Sequence, residues 1–468
     1  MELQEFAASF VESTRSYIFI RPEDRLLILR PNQVHYLNDS AVEMLSALYK
    51  QSPVDVSSLV AEFARIYQQP EYQIAQDLQT LLQSLSLLLQ GKTGLAPAVR
   101  SMPFGSHQRK YPVLSEIALT YRCNNRCFFC YASAPQRGHR EAEMSTDQVK
   151  LIIDKIIDQA KVPTVSFTGG EPTLRKDLPE LIDYAYQKGL RTNLITNGIH
   201  CAEEAFVKRL AKAGLDSAQV SLEAGNADIH DAVVEHPGAF EKTVQGVKNL
   251  KSAGIHTHTN TTINTRNRQA LIELIDFLAS LGQEYLSMNM VIRTGGAVGS
   301  QDLSYTQIGE LVLALKKHTE ELGMRFVWYS PVPYCLFNPA AHGLGSQSCA
   351  AADGLLSIAP DGQVLPCSSF EQGIGNLLKE DFNTIWNRPP ARYWREKRFL
   401  PPGCRGCDLA ELCCGACPLY WDEQGSFDEI SAHTRSISPW EHWLWQGKRR
   451  WQGQVHGVGV QAGGSKPT

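Results

Sequence analysis

The stretch "LTYRCNNRCFFCYAS", residues 119–133, places Cys123, Cys127 and Cys130 within eight positions. Three thiols on one loop cannot complete a structural zinc site, which takes four ligands. They can hold three irons of a four-iron, four-sulfur cluster and leave the fourth iron open to a small molecule. More thiols follow. Cys349 and Cys367 flank Gly362 as C-x12-G-x4-C, and Cys404, Cys407, Cys413 and Cys417 run as C-x2-C-x5-C-x3-C, with Cys414 beside Cys413. Only Cys201 and Cys335 of the 12 cysteines stand apart. Clustered thiols in a reducing compartment bind metal more readily than they pair. The C-x2-C…C-x3-C spacing also suits a zinc ribbon, which stays an alternative at this point. Cys201 reads as an inert buried thiol.

The remaining totals narrow the setting. A chain of 468 residues has room for about three domains. With 45 basic and 49 acidic side chains, the net charge of −4 argues against nucleic acid or an anionic membrane as the main partner. No apolar run reaches the ~20 residues that span a bilayer. The opening "MELQEFAASFVESTRS" lacks a basic-then-apolar export signal, so a cytoplasmic location is expected.

The thiols need elements to position them. Residues 17–90 read as three short strands ("SYIFIRP", "RLLILRP", "QVHYL") and three helices, the first opening at the N-cap Asn38. After a Gly- and Pro-rich linker, six strand-like runs alternate with helical patterns: "SEIALTY", "TVSFTG", "RTNLITN", "SAQVSLE", "HTHTNTTI" and "YLSMNMVI". That alternation predicts a parallel sheet, and its length of about 200 residues suits six of a barrel's eight units. The unusual residues follow the strands: the cysteine loop, "GGEP" (169–172), "TNG" (196–198), "SLE" (221–223), Asn260 and Thr262, and "RTGG" (293–296). Loops at the carboxyl ends of parallel strands open on one face, where such folds build active sites. Beyond 325, short strands such as "FVWYS" lead into a cysteine-dense region. The tail carries Trp440, Trp443, Trp445 and Trp451 and ends in a stretch expected to be disordered.

The C-x3-C-x2-C loop after a first strand resembles the radical S-adenosylmethionine (SAM) superfamily. The resemblance implies a [4Fe–4S] cluster on Cys123, Cys127 and Cys130 whose open iron chelates SAM, and a 5′-deoxyadenosyl radical released on reductive cleavage. It implies that Phe129 packs near the adenine and that Gly169, Gly170, Glu171 and Pro172 meet the methionyl amine. It further implies that Asn197, Ser221 and Glu223 contact the ribose or carboxylate. The catalytic residue acting on the substrate is not readable. The later cysteines resemble the SPASM extension, which implies two auxiliary iron–sulfur clusters: one on Cys349, Cys367 and Cys417, the other on Cys404, Cys407 and Cys413. The family's last cysteine has no counterpart after Cys417. Asp428, Glu429, His433 or Cys414 are candidate replacements, with an open iron as the alternative, and Cys335 is a candidate fourth ligand of the first cluster. Ser368 stands where sulfatase maturases carry a basic Asp, which argues against sulfatase maturation.

The amino-terminal unit resembles the PqqD-like peptide chaperone, or RiPP recognition element, a winged helix that pairs a leader peptide along its third strand. Here that strand is Gln33 to Leu37, with the helix Ile74 to Leu85 beside it. The expected fold is α/β: a partial (β/α)6 TIM barrel (113–325) with an N-terminal winged-helix-like domain (1–95) and a C-terminal iron–sulfur SPASM domain (326–436). A linker spans 96–112, and a Trp-rich, partly disordered tail spans 437–468. The resemblances imply a maturase that oxidatively modifies a ribosomally made peptide and takes electrons from a low-potential donor such as flavodoxin or ferredoxin. A radical SAM enzyme tailoring a tetrapyrrole or metal cofactor is the alternative. A non-catalytic iron–sulfur carrier or peptide-binding scaffold is the alternative of another class.

Overall fold

Asn38 caps the helix Asp39–Lys50, its side chain accepting from the Ala41 N–H, and Val42, Leu45 and Leu48 fall on the buried face as their spacing predicts. The computed structural model describes residues 2–30, 33–90, 98–102, 110–138, 140, 142–300 and 302–445. Strands β1 (Ile18–Arg21), β2 (Leu26–Leu29) and β3 (Gln33–Leu37) pair antiparallel, and the helices Asp39–Lys50, Val56–Tyr67 and Glu71–Leu89 pack on them. Two features differ from the expectation. A helix, Leu3–Thr14, precedes the strands and buries Ala7, Phe10 and Val11 in the same core. A fourth strand, β4 (Val99–Met102), pairs antiparallel with β3, matching Val34 with Met102 and Leu37 with Val99. The β3 edge expected to receive a leader peptide is therefore taken by the chain itself. The cause is local: Val99 is buried in this unit's core, and the Asn38 N–H donates to the Ala98 carbonyl at 3.1 Å.

The barrel strands are β5 (Leu114–Thr120), β6 (Thr164–Gly169), β7 (Arg191–Thr196), β8 (Ser217–Ser221), β9 (His256–Ile263) and β10 (Tyr285–Met290). They pair in parallel in this order. The helices Thr146–Asp158, Leu178–Gln187, Glu204–Lys212, Ala239–Ser252, Leu271–Ser280 and Tyr305–Glu321 follow them in turn. β11 (Arg325–Trp328) extends the sheet parallel to β10. At the other edge β12 (Leu355–Ile358) pairs parallel to β5, continued antiparallel by β13 (Gln363–Leu365) and β14 (Gly375–Asn376).

Strand periodicity sorts the two faces. Ile117, Phe167, Leu194 and Ala218 stand in register, all fully buried in the core that includes the helices' Ile152, Ile156, Leu181 and Leu210. One residue earlier, Glu116, Ser166, Asn193 and Ser217 form the adjacent row and line a cavity of about 2000 Å³. Their side chains join across strands: Asn193 donates to Ser166 at 3.1 Å and Ser217 to Asn193 at 2.9 Å.

The amino-terminal unit sits at the amino ends of the strands. Arg21, 1% exposed, pairs with Asp24 at 2.8 Å and donates to the carbonyls of Pro112, Tyr111 and Lys161, just ahead of β5 and β6. Among the described residues, no helix is long and apolar enough to cross a membrane. Trp451 and the stretch expected to be disordered lie outside the described residues.

Candidate active site at the carboxyl ends of the barrel strands

Thr120 ends β5, and its hydroxyl accepts from the Arg122 N–H, turning the chain into the cysteine loop. The loop is held from several sides. The Arg126 N–H donates to the Val234 carbonyl at 2.9 Å, Asn197 reaches Asn124 at 2.6 Å, and the Gly296 N–H donates to the Cys130 carbonyl at 2.9 Å. Backbone N–H groups of Asn125 and Ala134 point at the sulfurs of Cys123 and Cys130, each at 3.4 Å. Burial pushes the Cys123 thiol up to about 12, with the charge of Glu171 adding to it, and it also raises Cys127 and Cys130. Such thiols need a bound cation to ionise.

Gly169 has φ +131, and a Cβ there would lie 2.1 Å from the Thr120 carbonyl. One at Gly170 would lie 2.4 Å from the Arg122 carbonyl. The glycines thus let β6 pack its backbone against the root of the cysteine loop, with Gly170 N–H to Thr120 O and Glu171 N–H to Arg122 O both at 2.8 Å. The Glu171 carboxylate is fully buried and accepts from the Thr173 N–H and hydroxyl, the Thr196 hydroxyl and the Asn197 N–H. It therefore ties β6 to β7 and orients Asn197.

The structure gathers Cys123, Cys127, Phe129, Cys130, Gly169, Gly170, Asn197, Ser221 and Glu223 around the one cavity, along with Asn260 and Thr262. Glu171 and Pro172 lie behind its wall. Glu223, 3% exposed, accepts from the Thr262 N–H at 2.9 Å, and burial raises its carboxyl to about 8. Behind it the Glu223 N–H donates to His230 Nδ1, and burial lowers His230 to about 4, so this ring is neutral.

Cys349, Cys367 and Cys417 line the same cavity. The charges of Cys349 and Cys417 act on Cys367, after burial, to raise its thiol. Cys404, Cys407 and Cys413 form a separate set outside the cavity wall. Cys335 stands beside this second set: the Tyr334 N–H donates to Cys413 Sγ at 3.3 Å, and the charges of Cys413 and Cys407 act on Cys335. The loop after β11 brings it there by running past Cys413. Glu429 is engaged by the Tyr420 hydroxyl and the Thr306 N–H. Cys201 is fully buried, as expected.

The sequence reading missed Glu116. Glu116 projects from β5 into the cavity and accepts from the Ser357 hydroxyl at 2.5 Å. Ser368 also hydrogen-bonds it. A carboxylate carried by β5 thus lies beside Ser368. Its signal was an acid in the otherwise uncharged strand "SEIALTY".

Among the described residues no three His, Cys, Asp or Glu side chains converge on one metal ion. An iron–sulfur cluster seats each thiolate on its own iron, and the buried, neighbouring thiol sets fit such clusters.

Three family descriptions match the chain. "Coenzyme PQQ synthesis protein D (PqqD)" covers residues 25–86, "Radical SAM superfamily" 117–278 and "Iron-sulfur cluster-binding domain" (SPASM) 349–408. The chain is similar to the AdoMet-dependent heme synthase of Nitratidesulfovibrio vulgaris, 28% identical over 64% of this chain and 85% of that one. It is also similar to the PqqA peptide cyclase of Granulibacter bethesdensis, 28% identical over 64% and 80%. In fold it resembles Streptococcus suis SuiB bound to precursor peptide SuiA, with TM-score 0.65, 17% identity, and 86% and 95% of the two chains covered. The radical SAM and SPASM domains imply a SAM-binding [4Fe–4S] cluster and auxiliary iron–sulfur clusters. The chain belongs to the radical SAM superfamily, with a PqqD domain before its barrel and a SPASM domain after it.

Proposed function

We propose that this radical SAM/SPASM enzyme is a maturase that oxidatively modifies a ribosomally made precursor peptide. One observation carries the reading. Tyr17, Arg30 and Gln33 of the PqqD-bearing unit line the same cavity as the two thiol sets Cys123/Cys127/Cys130 and Cys349/Cys367/Cys417. A peptide-binding module and a radical centre sharing one lumen suit a long, flexible substrate. The likeness to a PqqA peptide cyclase supports it.

When bound, cluster and SAM supply hydrogen-atom abstraction through a 5′-deoxyadenosyl radical. The chain's own part is to orient and to exclude water. Asn197 and Glu223 are fixed by backbone hydrogen bonds at the mouth of the barrel. Glu116, fixed by Ser357, offers a carboxylate to a donor group of the substrate side chain. A low-potential carrier such as flavodoxin or ferredoxin would deliver the electron.

The likeness to heme synthases supports a second reading, oxidation of a tetrapyrrole. The test is anaerobic incubation of the reconstituted protein with SAM and dithionite, once with short peptides encoded beside its gene and once with iron–coproporphyrin III. Mass spectrometry follows product and 5′-deoxyadenosine. A peptide lighter by two hydrogens supports the proposal; an oxidised porphyrin with unchanged peptides overturns it.

A further inference from the structure

The thiols fall into two auxiliary sets, and the second holds four. Cys404 and Cys413 bracket the turn Cys404–Cys407 and the short helix Ala410–Cys413. The loop after β11 reaches them from a segment some 70 residues earlier in the chain, outside the matched SPASM residues. Contact is direct: the Tyr334 N–H donates to Cys413 Sγ at 3.3 Å, and Cys413 Sγ lies 3.9 Å from the Val332 carbonyl. Cys335, the residue after Tyr334, thus stands beside Cys404, Cys407 and Cys413. Glu429 is bound to Tyr420 and Thr306, and the Asp428 carboxylate accepts from the Ser426 hydroxyl. Cys414 has φ +54, which turns it away from its neighbour Cys413 toward Ser348 and Lys397.

We propose that Cys335 is the fourth thiolate ligand of the auxiliary cluster held by Cys404, Cys407 and Cys413. It takes the place of the cysteine absent after Cys417. The set Cys349, Cys367 and Cys417, which faces the cavity, is then left with three thiolates. The inference rests on the SPASM assignment.

Two measurements on the full-length chain test it without reading activity. Cysteine alkylation of the anaerobic, cluster-loaded protein is mapped by mass spectrometry before and after iron chelation. Cys335 and Cys407 are both exposed side chains in the polypeptide, so only ligation protects them. The proposal expects Cys335 to be protected together with Cys404, Cys407 and Cys413, and all four to react after chelation. Cys335 labelled while the other three are protected overturns the proposal and leaves the SPASM assignment standing. All four labelled in the loaded protein overturns both. The second measurement is iron content with Mössbauer spectra of C335A, C404A, C367A and the double variants. Loss of iron in C335A/C404A no greater than in C404A, but greater in C335A/C367A than in C367A, is expected. The reverse pattern places Cys335 on the first cluster and refutes the proposal. C335S, closer in size, repeats the comparison should the alanine variant not accumulate.

Discussion

Glu171 offers a sharp test, because the fold uses its carboxylate fully before any ligand arrives. One oxygen accepts from the Thr173 N–H and hydroxyl and from the Thr196 hydroxyl, and the other accepts from the Asn197 N–H. Each oxygen thus faces a backbone N–H, a group that can only donate. Glu171→Gln keeps the shape but sets an NH2 against one of those donors in either flip. The variant loses one charge-assisted bond, worth about 1.5–3 kcal/mol, and leaves a buried donor unsatisfied, at about 1–3 kcal/mol. Some of this overlaps, so a loss of ~2–4 kcal/mol is expected, or a fall of roughly 5–10 °C in the midpoint of a barrel-sized unit. Thermal unfolding of the protein without SAM, followed by circular dichroism, reads it directly. Glu171→Asp, one methylene short, should lose stability too. A midpoint within a degree of wild type, with only SAM binding weakened, would refute the reasoning and return the carboxylate to the ligand.

Three further outcomes follow from the geometry. Gly170→Ala places a methyl 2.4 Å from the Arg122 carbonyl, so the cysteine loop must shift; anaerobic reconstitution should give about one cluster's iron less per chain, while C-terminal cluster signals stay. Arg21→Ala leaves Asp24 buried without its partner and frees three carbonyls at the barrel's amino end, a loss of about 3–5 kcal/mol that hydrogen exchange should report as opening of residues 110–113 and 161–163. His258 is buried beside Tyr285, and burial, then the charges of His256 and Arg325, lowers it to about 4. Its folded value lies below the unfolded one near 6.5, so the unfolded chain binds the proton first; its share of stability is full above pH 6.5 and lost as pH falls toward 4. His258→Gln should flatten the stability slope in that window by up to ~1.4 kcal/mol per pH unit, and an unchanged slope counts against it.

The barrel was legible because its strands obey a period of two and its helices one near 3.6, so "TVSFTG" and "HTHTNTTI" mark β6 and β9 to the residue. What escaped the reading obeyed a weaker rule. The helix Leu3–Thr14 is absent from the expected elements, although Ala7, Phe10, Val11 and Thr14 repeat at three- and four-residue steps. β4 lay inside a Gly- and Pro-rich stretch, and only pairing with β3 makes it a strand. "FVWYS" reads as part of the following region because sequence order says nothing of which sheet edge is free; β11 takes the edge of β10. The cysteines themselves were plain from spacing. Their grouping was not, since Cys335 and Cys413 lie 78 positions apart and meet only through the loop after β11.

β4 also changes what peptide binding at the amino-terminal unit must involve. A strand added along β3 needs the N–H and carbonyl groups of residues 33–37, and β4 already pairs with four of these residues, Val34 to Leu37. Displacing it exposes Val99, 4% exposed at present, at a cost of roughly 1.5–3 kcal/mol unless the incoming strand fills the same place with an apolar side chain. The backbone hydrogen bonds exchange one for one and so contribute little net energy. A peptide that pairs with β3 is therefore selected by the residue it offers opposite Leu37, whereas one that adds to the outer side of β4 leaves Val99 buried and needs no such match.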